Sequence, residues 1–138
     1  MRAVIDTNVL LVSINPGSKY HPIFRQAISG SFTLCISNSI LLEYEEVFKF
    51  RINVNMSEAA IAAIIYSPFV LRIDPRISWR LIKVDPDDDK FSDCAVAADA
   101  NFLVSNDRHF NVLKNIPFPK IKVISADDFL EMITSKAV

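Results

Sequence analysis

The chain opens Met1-Arg2-Ala3-Val4-Ile5-Asp6-Thr7-Asn8-Val9-Leu10, and the first six residues decide the fold class. Ala3-Val4-Ile5 is apolar at successive positions, so both faces of the strand it forms are greasy. That is the pattern of a strand inside a parallel sheet rather than one with a face in water. Asp6 follows at once and therefore leaves the sheet at its carboxyl end, where open α/β sheets bind their ligands. Taken alone, a strand-end Asp more often bonds backbone amides in the next turn, so the weight falls on the acids further along.

Working outward, Asn15-Pro16-Gly17-Ser18 reads as a loop, and residues 22–29 as a helix with Pro22 in its first turn and Gly30 at its stop. Residues 32–36 form a second strand. Ser37, Asn38 and Ser39 offer caps for a helix over 40–51, whose core stripe is Leu41, Tyr44 and Phe48. A third helix starts within 55–57 and Pro68 ends it. Short strands are expected over 69–73 and 81–84, with a break at Asp74-Pro75-Arg76. The turn Asp85-Pro86-Asp87 leads into a helix over 88–99 that faces the core through Phe91, Cys94, Ala95 and Ala98. A strand over 102–105, a short helix over 107–114, a strand over 122–124 and a last helix capped by Ser125 and ending near Ser135 complete the chain. The alternation predicts an α/β fold, a three-layer α/β/α sandwich around a central, mainly parallel sheet. At 138 residues it is read as a single domain over 1–138.

Composition excludes several function classes. Fifteen Lys and Arg against 16 Asp and Glu give a net charge of -1, so the chain as a whole does not attract a polyanion, and nucleic acid would need a local basic patch or bound cations. Cys35 and Cys94 sit in apolar contexts without zinc or redox spacing and read as reduced core residues. Two glycines leave no room for a Gly-rich phosphate loop. Asp6 interrupts any signal-peptide core, and the longest apolar run, 59–66, is too short to span a bilayer. A cytoplasmic protein without membrane association is the expectation. Apolar residues over 61–66 exceed the needs of one helix face and suggest a homo-oligomer.

Direction alone brings acids to one rim. Asp6 ends the first strand, and Asp107 lies just past the end of the strand over 102–105. Glu43 lies near the start of the helix that follows the second strand, and the helix from Asp88 also begins at that rim, with Asp89 and Asp93 four apart on one face. Each has an ordinary alternative as a helix cap, a solvated charge or a favourable charge at a helix N-terminus. Together they do not, because two carboxylates about 4 Å apart repel by roughly 4 kcal/mol at an effective dielectric near 20. Such a cluster needs a cation, and hard oxygen donors favour Mg²⁺ or Mn²⁺ over zinc. Elsewhere, Arg72, Arg76, Trp79, Arg80 and Lys83 form a basic run with an aromatic able to stack on an unpaired base, its ordinary alternative being a solvated loop with Trp79 plugging the core.

The segments Asp6-Thr7-Asn8-Val9-Leu10, Ser39-Ile40-Leu41-Leu42-Glu43-Tyr44, Asp85 through Asp93, and Phe102 through Asp107 together resemble the PIN domain, in particular the short single-domain toxin components of prokaryotic toxin-antitoxin systems. The resemblance spans essentially the whole chain. It implies a Mg²⁺- or Mn²⁺-dependent endoribonuclease whose metal is held by Asp6, Glu43, Asp93 and Asp107, with Asp89 as a further outer ligand and Asn8 and Ser105 as auxiliary residues. It also implies an RNA substrate and an antitoxin protein as partner. The crowd at Asp87, Asp88, Asp89 and Asp93 leaves the third ligand ambiguous by one helical turn, and Asp93 is chosen because it precedes Ala97-Ala98 by four residues. Ser105-Asn106-Asp107-Arg108-His109 departs from the family pattern on the second-metal side, so one or two metals stay open. His21 and His109 read as surface or loop residues, His109 close enough to the rim to touch substrate. A haloacid-dehalogenase phosphatase would want a second Asp where Asn8 stands, and a receiver domain fits the strand over 69–73 poorly. The rival reading is a non-catalytic PIN scaffold that binds RNA or a protein partner.

Overall fold

β1 (Arg2–Ile5) is the middle strand of a five-stranded sheet, and the computed structural model, which describes residues 1–135, builds outward from it. Ala3, Val4 and Ile5 have no solvent exposure, as a strand covered on both faces must. On one side lies β2 (Thr33–Ile36) and beyond it β3 (Leu71–Arg72). On the other lie β4 (Phe102–Val104) and β5 (Val123–Ile124). The order is β3-β2-β1-β4-β5 with every neighbouring pair parallel, and Ala3 stands opposite both Leu34 and Phe102. Because the chain moves one way from β1 to β3 and the other way from β4 to β5, right-handed crossovers send the connecting helices to opposite faces. The result is the expected three-layer α/β/α sandwich.

The helices follow mostly from local signals. α2 (His21–Ser29) carries Pro22 in its first turn and ends at Gly30, whose φ of +83° is left-handed. α3 (Asn38–Arg51) is capped by Ser37, which accepts the Ile40 amide at 3.2 Å, and α4 (Val54–Tyr66) by Asn53, which accepts the Met56 amide at 2.8 Å. Tyr44 and Phe48 stack in the core, and the Tyr44 hydroxyl donates to the Ile5 carbonyl, fixing α3 to the end of β1. α6 (Ala126–Ser135) is capped by Ser125. Cys35 and Cys94 are free and buried, and burial pushes their thiols up to about 11 and about 12.

Four elements differ from the sequence reading. α1 (Thr7–Ile14) was not expected: Thr7, Val9, Val12 and Ile14 are β-branched, which disfavours a helix. Burial of Val9, Leu10 and Ile14 overrides that preference. No strand forms over 81–84, where carboxylates of α5 (Asp89–Ala97) rather than a neighbouring strand take amides in and just before the segment: Asp93 accepts from Trp79 at 3.0 Å and Asp89 from Ile82 at 2.8 Å. The helix expected from Asp88 begins as a 3₁₀ turn, Pro86–Asp88, and the short helix after β4 is also 3₁₀, Arg108–Asn115.

A Cβ at Gly30 would lie 2.4 Å from Cγ of Phe69, on a backbone that is already left-handed. Gly30→Ala is expected to cost about 1–3 kcal/mol in urea unfolding. Adding Phe69→Gly should relieve the clash, which includes the Phe69 Cβ at 2.8 Å, but not the backbone strain.

Candidate metal centre

The order in which the chain lays down its strands reverses between β1 and β4, and the carboxyl ends of those parallel strands flank the crevice that such a reversal leaves open. Asp6 is the first residue past β1, and its amide donates to the Val104 carbonyl at 2.9 Å. Its side chain does not cap α1. The carboxylate instead accepts the Ser105 hydroxyl at 2.8 Å, and Ser105 Oγ in turn accepts the Asp107 amide at 3.0 Å. One hydroxyl thus links the two strand-end acids. Asp107 caps the 3₁₀ helix by accepting the His109 amide at 2.9 Å. Glu43, on the second turn of α3, accepts the Thr7 hydroxyl and an ion pair from Lys90 Nζ at 2.8 Å.

The fourth acid at the rim is Asp88. It ends the 3₁₀ turn before α5, and its Oδ2 lies 3.4 Å from His109 Nδ1, which is also 3.6 Å from Asp107 Oδ1 and 4.0 Å from Asp85 Oδ2. Burial raises the Asp6 carboxyl above its ordinary value, with repulsion from Glu43 and Asp107 adding to it against the Ser105 hydrogen bond. Asp88 is pushed up to about 6 by burial first, then by Asp85, Asp6 and Asp107, with His109 opposing. Asp6, Glu43, Asp88 and Asp107 therefore share one field.

One of the expected site residues lies apart from Asp6, Glu43 and Asp107. Asp93 is buried on α5 but accepts the Trp79 amide, lines a different cleft, and among the acids feels Asp89 rather than Asp6. Asp89 is likewise engaged by the Ile82 amide. Both hold the 79–82 loop against α5, and Asp88 stands at the rim in their place. The sequence reading missed this because Asp88 precedes the first full turn of α5, so its direction does not follow the helical phase that selected Asp93. Asn8 is exposed beside Asp6 and Asp107 at the mouth of a cavity of about 400 Å³ that Tyr20 also lines. Thr7 and Lys90 carried no signal in the sequence, since both act through Glu43 across the fold.

Asp88 Oδ2 and His109 Nδ1 are buried and have no hydrogen-bond partner among the described residues, their mutual 3.4 Å being long for one. Asp85, Asp88 and His109 can each direct one ligand atom to a common point, those atoms lying within 4.8 Å of one another. Desolvated, mutually repelling oxygens with an orphaned acceptor fit a hard divalent cation, Mg²⁺ or Mn²⁺. No helix among the described residues is long and apolar enough to cross a membrane.

Residues 2–109 match the family model of the PIN domain. Among solved structures, the chain is similar to VapBC2 from Rickettsia felis, determined bound to a DNA fragment from its promoter, with a TM-score of 0.62 and 16% identity over 91% of this chain and 98% of that one. No curated protein matches the sequence.

A carboxyl raised in the fold binds its proton more tightly there than in the unfolded chain, so its contribution is favourable at low pH and is lost as pH rises through about 6, the folded value for Asp88. In EDTA, Asp88→Asn should therefore melt above wild type at pH 7.5 and level with it near pH 4. A variant less stable at pH 7.5 would make Asp88 a structural hydrogen-bonding residue.

Proposed function

Because the chain belongs to the PIN domain family, we propose that it is a divalent-metal-dependent endoribonuclease that hydrolyses RNA phosphodiester bonds and serves as the toxin of a toxin-antitoxin pair. The observation that carries this reading is the convergence, where the strand order reverses, of Asp6 and Asp107 joined through Ser105, Glu43 held by Thr7 beside Asp6, and Asp88 against His109 with its buried Oδ2 left without a partner. These four acids are the proposed ligands, and Mg²⁺ or Mn²⁺ the proposed ion. When bound, such an ion supplies a coordinated water of lowered pKa and neutralises charge on the scissile phosphate.

The chain's own residues orient that chemistry. Ser105 aims the Asp6 carboxylate while holding the Asp107 backbone, and Thr7 aims Glu43. Asn8 offers an amide at the mouth of the cavity, within reach of a phosphate oxygen. His109 lies against Asp88 and Asp107, where it can share their charge. The likeness to VapBC2, aligned over nearly all of both chains, supports one domain over residues 1–138 and an antitoxin protein as partner, in the cytoplasm. Self-association is supported by apolar side chains left outside on α3 and α4, where Phe50 is 86% and Tyr66 83% exposed.

One observation favours the non-catalytic scaffold. Lys90 Nζ sits 2.8 Å from Glu43 Oε1 and supplies an internal cation to an acid that a metal would otherwise neutralise. Cleavage of a mixed RNA pool in Mg²⁺, Mn²⁺ or EDTA separates the two. Asp107→Asn and Glu43→Gln are expected to lose cleavage by on the order of a hundredfold or more while staying folded, since an amide oxygen still caps at 107. Mn²⁺ at a hundred times its Kd should stabilise wild type by about 2.7 kcal/mol, and Asp6→Asn should lose most of that gain. Cleavage that persists in EDTA, or melting indifferent to Mn²⁺, would favour the scaffold.

A further inference from the structure

A second recess opens where β3 ends against α5. It encloses about 810 Å³ and is lined by Arg72, Arg76, Ile77, Trp79, Asp93 and Val96 among others. Its chemistry differs from that of the acidic rim. Trp79 is half-buried, and its ring meets Phe118 edge to face at 5.8 Å and 82°; no ring among the described residues stacks flat on it. Asp93 Oδ1 accepts the Trp79 amide at 3.0 Å, which ties the carboxylate to the base of the same indole, while Oδ2 receives no hydrogen bond among the described residues. Asp74 accepts two hydrogen bonds from Asn38, at 2.8 and 3.1 Å, and Arg72 donates to the Asn38 oxygen at 2.9 Å. Arg76 is exposed and makes no salt bridge among the described residues.

We propose that this recess is a base-recognition subsite for single-stranded RNA, in which an unpaired guanine stacks on Trp79 and presents its N1 and N2 donors to the Asp93 carboxylate, with Arg76 on the adjoining phosphate. Base stacking on an aromatic tolerates any sequence, and the selection comes from Asp93. A carboxylate only accepts. Guanine offers two parallel N–H groups along one edge, whereas uracil offers one donor between two carbonyls that repel the carboxylate. The substrate class rests on the ribonuclease reading, but the subsite is testable without cleavage.

Trp79 is the sole tryptophan of the chain, so its fluorescence reports the recess directly. With wild-type protein in EDTA, the pentaribonucleotide UUGUU should quench it saturably, with an affinity about tenfold above that of UUUUU and above that of UUAUU and UUCUU. Asp93→Asn keeps an oxygen for the Trp79 amide but replaces the free acceptor by a donor. It should retain the fold by circular dichroism and reduce the guanine preference to less than about threefold. Trp79→Ala should weaken binding of labelled UUGUU about tenfold by anisotropy. Equal quenching by all four pentamers, no quenching by any, or an undiminished preference in Asp93→Asn would overturn the subsite. Cleavage with Mn²⁺ but no guanine preference refutes the subsite alone. Guanine-selective quenching without cleavage refutes the nuclease reading alone.

Discussion

The pairing of β1 with β4 is the contact on which the rim depends. Ile5 stands opposite Val104, and the pairing continues one step past the strands, where the Asp6 amide donates to Val104 and the Ser105 hydroxyl reaches Asp6. A shift of one residue between these strands would turn Asp6 and Ser105 to opposite faces. The buried run Ala3-Val4-Ile5 lies between the exposed Arg2 and the strand-end Asp6, so a slip in either direction would draw a charged side chain between the apolar layers. The position of the acids is thus a by-product of hydrophobic burial several residues away.

Function and stability oppose one another at this rim. Burial raises Asp6 and Asp88, and the neighbouring acids raise them further, so the folded protein carries charge it would hold more easily unfolded. Ser105, Thr7 and Lys90 relieve part of this, the first two by donating hydroxyls and the third by bringing a cation to Glu43. The donors leave Asp88 Oδ2 out. Sites arranged for reaction commonly keep such unrelieved groups, because full satisfaction would leave nothing for a ligand to stabilise.

The backbone was largely legible in the sequence where the signal is local. The apolar run of β1, the Ser37 cap of α3, Gly30 at the end of α2 and Ser125 before α6 were all readable and all stand where their chemistry puts them. What was not readable depends on contacts between distant segments. α1 exists because its β-branched side chains fit the core, which propensity cannot report. The rim was legible as a direction, which brought Asp6, Glu43 and Asp107 to one end of the sheet. It was not legible at the resolution of a helical turn: Asp88 and Asp93 differ in role because one precedes α5 and the other is held by the Trp79 amide, a partner fourteen residues back.

Both margins of the sheet are only two residues long, β3 at Leu71–Arg72 and β5 at Val123–Ile124. An exposed strand edge is a template on which another chain can add, and its danger grows with the number of free amides in a row. Here each margin offers too few to hold a guest strand, and Arg72 adds a charge to one of them. A chain that is 51% hydrophobic, with its two four-residue strands β1 and β2 walled in away from the margins, is thereby guarded against growing edge to edge into an aggregate.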